Sequence, residues 1–299
     1  AILLAFRKRF CEEVGGRIIG MKSDPITARD LRIWVKQNLF FADKQDVEEI
    51  ALPKLRKSTV AITMSPEIEV QYRGITDGIE KVLSGLVAKY RDRDLTATDP
   101  ALETARFKLR KQFQMLTELT LMPDLLVTGA RNPKLDECVR IIDEKIESSA
   151  RIILFTDVPR MASHTGLILS SRFPGKIHAV GLADTIDLWQ NGKKVQSYGE
   201  KAYTAPDGQT FGIGSWKTYV LKYIVSNNPE VVSLTLTSTY AVGQNLQDFS
   251  TVIHLDRDSW NSETMTQRTA RAWRTGQGKP VDEYTLDAVY SNPRAAKDA

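Results

Sequence analysis

Residues 231–256 read VVSLTLTSTYAVGQNLQDFSTVIHLD, two apolar runs around a polar loop. The runs VVSLTL and TVIHLD are short and rich in β-branched side chains, and the loop between them contains one glycine. Continuous apolar runs of about four to eight residues between turn signals are typical of strands that are buried on both faces, as in a parallel sheet. The stretch therefore predicts two core strands of an α/β fold.

Strand and helix patterns alternate on both sides of this stretch. The predicted elements are the helix PKLDECVRIIDEKIES (133–148), the strands RIILFTD (151–157) and KIHAVGL (176–182), the helix WKTYVLKYIVSN (216–227), a polar helix QRTARAWRTGQGKP (267–280) and the strand VDEYTLD (281–287). Strands that alternate with helices indicate a parallel sheet covered by helices. We therefore predict an α/β domain with such a sheet over residues 133–290.

The remaining segments differ from this pattern. Residues 1–132 have mostly helical patterns with one alternating strand, STVAITM (58–64), and NPK at 132–134 is the predicted boundary. Residues 185–215 are rich in glycine and polar residues, and the pairs Asn191-Gly192 and Asp207-Gly208 are hairpin turn signals. We interpret 185–215 as an inserted β-hairpin and 291–299 as a tail.

Composition narrows the function classes. The chain has 299 residues, 42% apolar and 26% charged, with a net charge of +4, which permits a nucleic-acid partner without requiring one. The two cysteines, Cys11 and Cys138, and the three histidines lack the spacing of a disulfide scaffold or a zinc site. No transmembrane run or signal peptide is visible, and because no initiator methionine is present we expect a piece of a longer protein.

The segment GGRIIGMKS (15–23) is a tempting phosphate-loop candidate. Gly15 and Gly20 have the required separation, but Met21 intervenes before Lys22, and no strand is predicted ahead of the segment. We reject it, and no other glycine-rich loop fits.

The polar helix places Gln267, Arg271 and Arg274 at positions i, i+4 and i+7, so the three side chains would share one face. This face is either a solvated surface or a site for a polyanion such as a nucleotide triphosphate. Arginine suits a triphosphate because its planar guanidinium meets two oxygens at once. Since the chain has no phosphate loop of its own, the second interpretation predicts half of a composite site.

The ordered motifs between residues 234 and 286 carry a family resemblance. They comprise Ser238-Thr239, Gly243-Gln244-Asn245-Leu246, Trp260-Asn261, Gln267, Arg271, Arg274, Gly276-Gln277 and Lys279-Pro280. This order resembles the C-terminal RecA-like lobe of the Swi/Snf-type DNA translocases, which are helicase-like ATPases of superfamily two. The resemblance extends more weakly over residues 29–72 and 133–233, and it does not include the 185–215 insertion. Ala270 stands where the family usually has glycine.

The resemblance implies a RecA-like lobe over 133–290, preceded by a helical protrusion and inter-lobe linker in 1–132. It implies catalytic roles for Arg271, Arg274 and Gln267, with Gly243 and Asn245 also at the nucleotide. Hydroxyls and cations near strand ends are predicted to bind DNA phosphates. The DNA-binding candidates are Thr156, Ser238, Thr239, Trp260, Lys134 and Arg160. Core packing is an equal alternative for Trp260, and His254 is interpreted as a core residue.

The implied cofactor is ATP with magnesium, held mainly by the N-terminal RecA-like lobe of the same parent chain, and no metal ligand is assigned here. The implied partner is double-stranded DNA, with no membrane, and the implied location is intracellular and DNA-associated. Two alternatives remain open: a strand-separating or restriction- or phage-linked motor, and a catalytically silent lobe that binds DNA or a protein partner.

Overall fold

The computed structural model describes residues 11–14, 17–21, 52–90, 100–237, 246–256 and 262–291. The chain divides into two compact units, 1–51 and 52–299. In the first unit, strands β1 (Cys11–Val14) and β2 (Arg17–Met21) pair antiparallel. The expectation that no strand precedes Gly15 is therefore wrong. The rejection of a phosphate loop is nevertheless supported, because Arg17–Met21 is itself a strand rather than part of a loop.

The second unit contains the sheet and its covering helices. The strands are β3 (Leu55–Thr63), β4 (Ile152–Thr156), β5 (Ile177–Gly181), β6 (Thr185–Gln190), β7 (Lys193–Gly199), β8 (Tyr203–Thr204), β9 (Thr210–Phe211), β10 (Val231–Thr237), β11 (Thr251–His254) and β12 (Val281–Val289). The helices are α1 (Pro66–Tyr90), α2 (Pro100–Leu121), α3 (Pro123–Leu126), α4 (Pro133–Glu147), α5 (Pro159–Arg172), α6 (Trp216–Tyr219) and α7 (Ser262–Thr269). A 3₁₀ turn, Ile213–Ser215, precedes α6, and a π-helical segment, Val220–Ser226, follows it.

Eight strands form one sheet in the order β3-β12-β11-β4-β10-β5-β6-β7. The first six are parallel, whereas β6 runs antiparallel to both β5 and β7. The two faces of β4 enter separate cores. Ile152 and Leu154 pack with α4 and α5, whereas Ile153 and Phe155 pack with Trp216 and the π-helical segment. Burial on both faces explains why the core strands have continuous apolar runs. The predicted α/β fold is confirmed.

Helix α4 shows how local sequence directs this packing. Asn132 caps the helix, because its side chain accepts a hydrogen bond from the backbone N–H of Leu135 at 3.1 Å. Pro133 occupies the first turn, where its missing N–H costs nothing. The buried side chains then recur at helical spacing and lie against the sheet: Leu135, Cys138, Ile141 and Ile142.

The predicted domain boundary at 132–133 does not separate two compact units. Strand β3 lies before that boundary, yet it pairs with β12 along all nine of its residues. The sheet therefore begins earlier in the chain than the sequence indicated. Helices α1 and α2 contact each other, and Ile68 and Leu119 from them pack with Met64 beside the sheet. The role of 1–132 as protrusion and linker stays a prediction.

The insertion is built from two hairpins. Asn191 and Gly192 turn β6 into β7 with φ of 51° and 72°, the left-handed values that a two-residue hairpin turn requires. Gly208, with φ of 85°, lies between β8 and β9. Strands β6 and β7 extend the main sheet, and β7 forms its outer edge. Both turn signals in the sequence therefore mark real turns.

Within the described residues, no helix has both the length and the apolar character needed to cross a membrane. The same part of the chain contains no group of three or more histidine, cysteine or acidic side chains arranged to hold a metal ion.

His178 makes the stability of this fold depend on pH. The side chain is 1% exposed in β5, and its Nδ1 lies 2.7 Å from Ser233 Oγ, while Nε2 has no hydrogen-bond partner. Burial lowers the pKa of His178 from 6.5 to about 4. Because the unfolded chain then binds the proton more readily, stability is full above pH 6.5 and is lost as the pH falls toward 4.

We expect the wild-type chain to lose about 2 kcal/mol of unfolding free energy through His178 between about pH 7 and pH 5. The His178→Asn variant removes the titrating group, and its loss over the same interval should be smaller by that amount. Urea unfolding of both proteins at the two pH values measures the difference. Equal losses would contradict the assignment to His178.

Candidate functional site

The carboxyl ends of the parallel strands bring the candidate site together. Strand β4 ends at Thr156 and is followed by Asp157, and β11 ends at His254 and is followed by Leu255 and Asp256. Ligands of open α/β sheets bind at this edge, because the strand-end loops and helix N-termini gather there.

A buried network joins these strand ends to α7. Asp256 Oδ2 accepts hydrogen bonds from Thr156 Oγ1 at 2.8 Å and from the backbone N–H of Asp157 at 2.6 Å. Arg268, which is 1% exposed, donates from Nη1 to Asp256 Oδ1 at 3.1 Å and from Nη2 to Asp157 Oδ1 at 2.7 Å. Its guanidinium carbon also lies 5.7 Å from the centre of the Phe155 ring. One arginine therefore fixes α7 to two strand ends.

A second contact holds the end of the same helix. His254 Nε2 lies 3.1 Å from Thr269 Oγ1 and 3.3 Å from Glu283 Oε1. Burial raises the pKa of Glu283, but hydrogen bonding and charge from His254, together with the charge of Lys57, bring the net pKa below its usual value. The interpretation of His254 as a core residue agrees with this position, although its Nδ1 is buried without a hydrogen-bond partner.

The predicted helix over 267–280 is correct only in its first residues. Helix α7 ends at Thr269, and the chain continues in turns. Arg271 N–H donates to Arg268 O and Ala272 N–H to Thr269 O, both at 3.1 Å, which is the tighter i to i+3 pattern. The prediction that Gln267, Arg271 and Arg274 share one face of an α-helix therefore fails, because only Gln267 lies in the helix.

The turn that carries Arg271 and Arg274 is tied to the core. Trp273 is buried, and its Nε1 donates to Pro53 O at 2.8 Å. Gln277 Nε2 donates to the carbonyls of Gln247 at 2.7 Å and Phe249 at 3.0 Å. The family positions Gly276-Gln277 therefore have a structural explanation: Gly276 takes a φ of 96°, and the amide of Gln277 closes the turn.

The two arginines of this turn place like charges close together, and the described residues show no carboxylate paired with either of them. Arg271 is half-buried, and its Nε is buried without a hydrogen-bond partner. Burial lowers the pKa of Arg271, and the neighbouring charge of Arg274 lowers it further, with no described carboxylate acting in the opposite direction. Arg274 is exposed, as is Gln267 in the last turn of α7. Two like charges held together in this way favour an anion between or beside them.

Two of the predicted DNA contacts are already engaged inside the protein. Thr156 is fully buried and bonded to Asp256. Lys134 is 4% exposed, and its Nζ donates to Leu255 O at 2.8 Å. Burial lowers the pKa of the Lys134 ammonium, and the charges of Asp256 and Asp287 oppose that shift. The structure therefore does not support DNA contacts by these two side chains, because their polar atoms stabilise the strand ends instead.

Arg160 is exposed in the first turn of α5, beside the end of β4, and remains a candidate. The other predicted positions, Ser238, Thr239, Gly243, Asn245 and Trp260, lie outside the described residues.

Asp157, Asp256 and Arg268 were not among the residues predicted from the sequence. An acidic residue close after each of two buried strands was a signal for the carboxylates, since side chains at that position lie at the functional edge of a parallel sheet. Arg268 offered no such signal, because it lies between polar neighbours in a polar helix and only the packing buries it.

Comparison with known proteins agrees with the motif order. Residues 224–276 match the family model described as the helicase conserved C-terminal domain. No curated protein matches the chain.

Several solved structures are similar. The Sulfolobus solfataricus SWI2/SNF2 ATPase core in complex with double-stranded DNA has 18% identity and a TM-score of 0.48, with 89% of this chain and 48% of that chain covered. The Sulfolobus solfataricus SWI2/SNF2 ATPase C-terminal domain has 16% identity and a TM-score of 0.47, with 79% and 80% covered. The C-terminal part of the Fun30 ATPase domain has 13% identity and a TM-score of 0.48, with 79% and 86% covered.

The chain spans about half the length of the Sulfolobus ATPase cores that it resembles. The matched segment 224–276 includes β10, β11, α7 and the turn with both arginines. Residues 224–276 are thus similar to the helicase conserved C-terminal domain, and this match overlaps the segment whose ordered motifs carry the resemblance.

Proposed function

We propose that the chain is the C-terminal half of an ATP-dependent motor of the Swi/Snf type that translocates on double-stranded DNA. The observation that carries the proposal is the pair of neighbouring like charges, Arg271 and Arg274, on a turn fixed by Trp273 and Gln277. The helicase family match over this turn supports the same assignment.

The residues fit a triphosphate group. Arg271 presents an unbonded buried Nε, and Arg274 adds a second guanidinium within electrostatic reach. Guanidinium groups that meet the developing charge of a transferring γ-phosphoryl group stabilise the transition state. In this proposal, Gln267 helps to orient the phosphate.

Magnesium is expected to be held elsewhere. The described residues offer no cluster of acidic ligands for it, so the proposal assigns both the metal ion and the phosphate loop to the N-terminal lobe of the parent chain. ATP supplies the phosphoryl group, and this chain supplies positive charge and position.

The buried network gives a physical route from nucleotide to DNA. Arg268 bonds Asp157 and Asp256, and it lies three residues before Arg271 on the same short segment. A movement of the arginine turn on closure of the ATP site would therefore pull on the strand ends through α7. The loops at those ends are the proposed DNA contacts, with Arg160, Ser238, Thr239 and Trp260 as candidates. Contacts of this kind bind phosphates and make the affinity depend on salt.

Two assays of the parent protein test the proposed function. We expect double-stranded DNA to stimulate ATP hydrolysis, and we expect the protein to displace a third strand from a triplex without separating a forked duplex. Separation of the fork would favour the strand-separating helicase. An ATPase rate that does not respond to DNA would favour the catalytically silent lobe.

A further inference from the structure

The insertion and the helical segment that follows it share a cluster of stacked aromatic rings, which we call the aromatic cluster: Tyr198, Tyr203, Phe211, Tyr219 and Tyr223. Tyr203 stacks on Tyr219 with 4.8 Å between ring centres, and Tyr219 stacks on Tyr223 at 5.5 Å. Phe211 of β9 lies 5.6 Å from Tyr219. These contacts fasten the β8–β9 hairpin to α6 and the π-helical segment, so the insertion is a fixed surface.

Three lysines lie against aromatic rings in and beside this cluster. The ammonium of Lys201 lies 5.2 Å from the centre of the Tyr203 ring, that of Lys217 5.7 Å from Trp216, and that of Lys222 4.8 Å from Tyr223. Cation–π contacts of this kind restrict where the ammonium groups point. Lys201 and Lys222 are also exposed, so their charge faces solvent.

The surface formed by the insertion together with the helical segment that follows it carries a positive charge. Residues 185–226 contain five lysines and three acidic residues. One of the three acids, Asp187, is buried and paired with Lys194 at 2.7 Å. The exposed acids are Glu200 and Asp207. An excess of ammonium groups on one fixed surface attracts a polyanion.

The topology brings two of the three lysines to the functional edge of the sheet. Strand β7 runs in the same direction as the six parallel strands, so its end at Gly199 lies at their carboxyl edge, and Lys201 is the second residue after that end. Trp216 and Lys217 begin the segment that leads back to the start of β10, which places them toward the same edge. This is the edge at which the proposed DNA contacts gather.

We propose that Lys201, Lys217 and Lys222 form a further contact with the phosphate backbone of double-stranded DNA, a proposal that rests on the function proposed above. The ligand is the backbone rather than the bases, because the faces of Tyr203, Tyr219 and Tyr223 are already stacked on one another. Lysine ammonium groups act as point charges on phosphates, so the contact is independent of DNA sequence. The insertion and the helical segment that follows it thus lengthen the DNA path across the lobe.

Salt-dependent DNA binding tests this inference. The affinity of the 299-residue chain for a fluorescent duplex is measured by anisotropy over a range of salt concentrations, for wild type and for the triple variant K201Q/K217Q/K222Q. Glutamine retains much of the aliphatic stem that packs on the rings. If each lysine neutralises one phosphate, the slope of log affinity against log salt should become shallower by about 2.7.

The matched control is K81Q/K108Q/K111Q, which removes the same charge from exposed lysines of α1 and α2. Its slope should equal that of the wild type, and K201R/K217R/K222R should restore the wild-type slope. If the triple glutamine variant fails to fold by circular dichroism, the single variants K201Q and K222Q each should lower the slope by about 0.9.

The outcomes separate the two proposals. If the wild type binds duplex DNA and the insertion variants keep its slope, or if the control loses as much, the inference is overturned and the proposed function stands. If the wild type binds no duplex DNA, both are overturned. The contact is supported if K201Q/K217Q/K222Q lowers the slope of log affinity against log salt and K81Q/K108Q/K111Q does not.

Discussion

In the parent protein, replacement of Arg274 by alanine is expected to lower DNA-stimulated ATP turnover by about a thousandfold, the scale of an arginine that stabilises the transferring phosphoryl group. DNA affinity should remain within about twofold of wild type, because the proposed function assigns Arg274 to the nucleotide and not to the DNA backbone. Folding should be unchanged, because Arg274 is exposed and no described partner depends on it. Steady-state ATPase rates with saturating DNA and anisotropy binding measure the two quantities.

The Arg274→Lys variant sharpens this test. Lysine keeps the charge but loses the planar fork that meets two phosphate oxygens, so most of the activity should remain lost. Arg110→Ala, on the exposed surface of α2, is the matched control and should retain full turnover. Equal rates for wild type and Arg274→Ala would mean that the arginine is only a solvated surface residue, and the composite site would lose its main support.

Replacement of Arg268 by alanine is expected to have the largest effect on stability. It leaves Asp256 buried with its main positive partner removed, and breaking a buried ion pair in this way costs about 3–5 kcal/mol. We place the estimate at the lower end because Asp157, the other partner, has a side chain that is 44% exposed and can be solvated. Urea unfolding of the chain at neutral pH measures the loss.

Two comparisons make the Arg268 result specific. Arg274→Ala removes an exposed arginine six residues later and should change the unfolding free energy by less than about 0.5 kcal/mol. Arg268→Ala combined with Asp256→Asn should recover part of the loss, because the variant no longer buries an unpaired charge. A loss below about 1 kcal/mol in Arg268→Ala would show that the network does not hold α7.

The elements of the sheet were predictable because their patterns are local. VVSLTL and TVIHLD are mostly apolar, and a strand that is buried on both faces has such a sequence wherever it lies in the chain. The Asn191-Gly192 turn was predictable for the same reason, since few residue pairs tolerate two positive φ values. The place of β3 was not predictable, because its partner strand lies more than 200 residues away.

The site was only partly predictable. The pattern of Gln267, Arg271 and Arg274 was visible, but the end of α7 at Thr269 depends on bonds from Trp273 and Gln277 to distant backbone carbonyls. Thr156 and Lys134 were chosen as surface contacts from their position near strand ends. Their hydrogen-bond partners are Asp256 and Leu255, which lie 100 and 121 residues later in the sequence. No local sequence pattern indicates partners at such distances.

The pairing of β3 with β12 has a consequence for how the protein folds. β3 spans Leu55–Thr63, and its neighbour in the sheet is Val281–Val289, so the first strand of the sheet has no neighbour until the last strand has been synthesised. Pairings between segments so far apart in the chain form slowly, and an unpaired strand edge is prone to aggregate while it waits. The nascent protein must therefore keep β3 soluble while the more than 200 residues between the two strands are synthesised. Its sequence LRKSTVAIT carries lysine and arginine and has only one buried side chain, so it is suited to that delay.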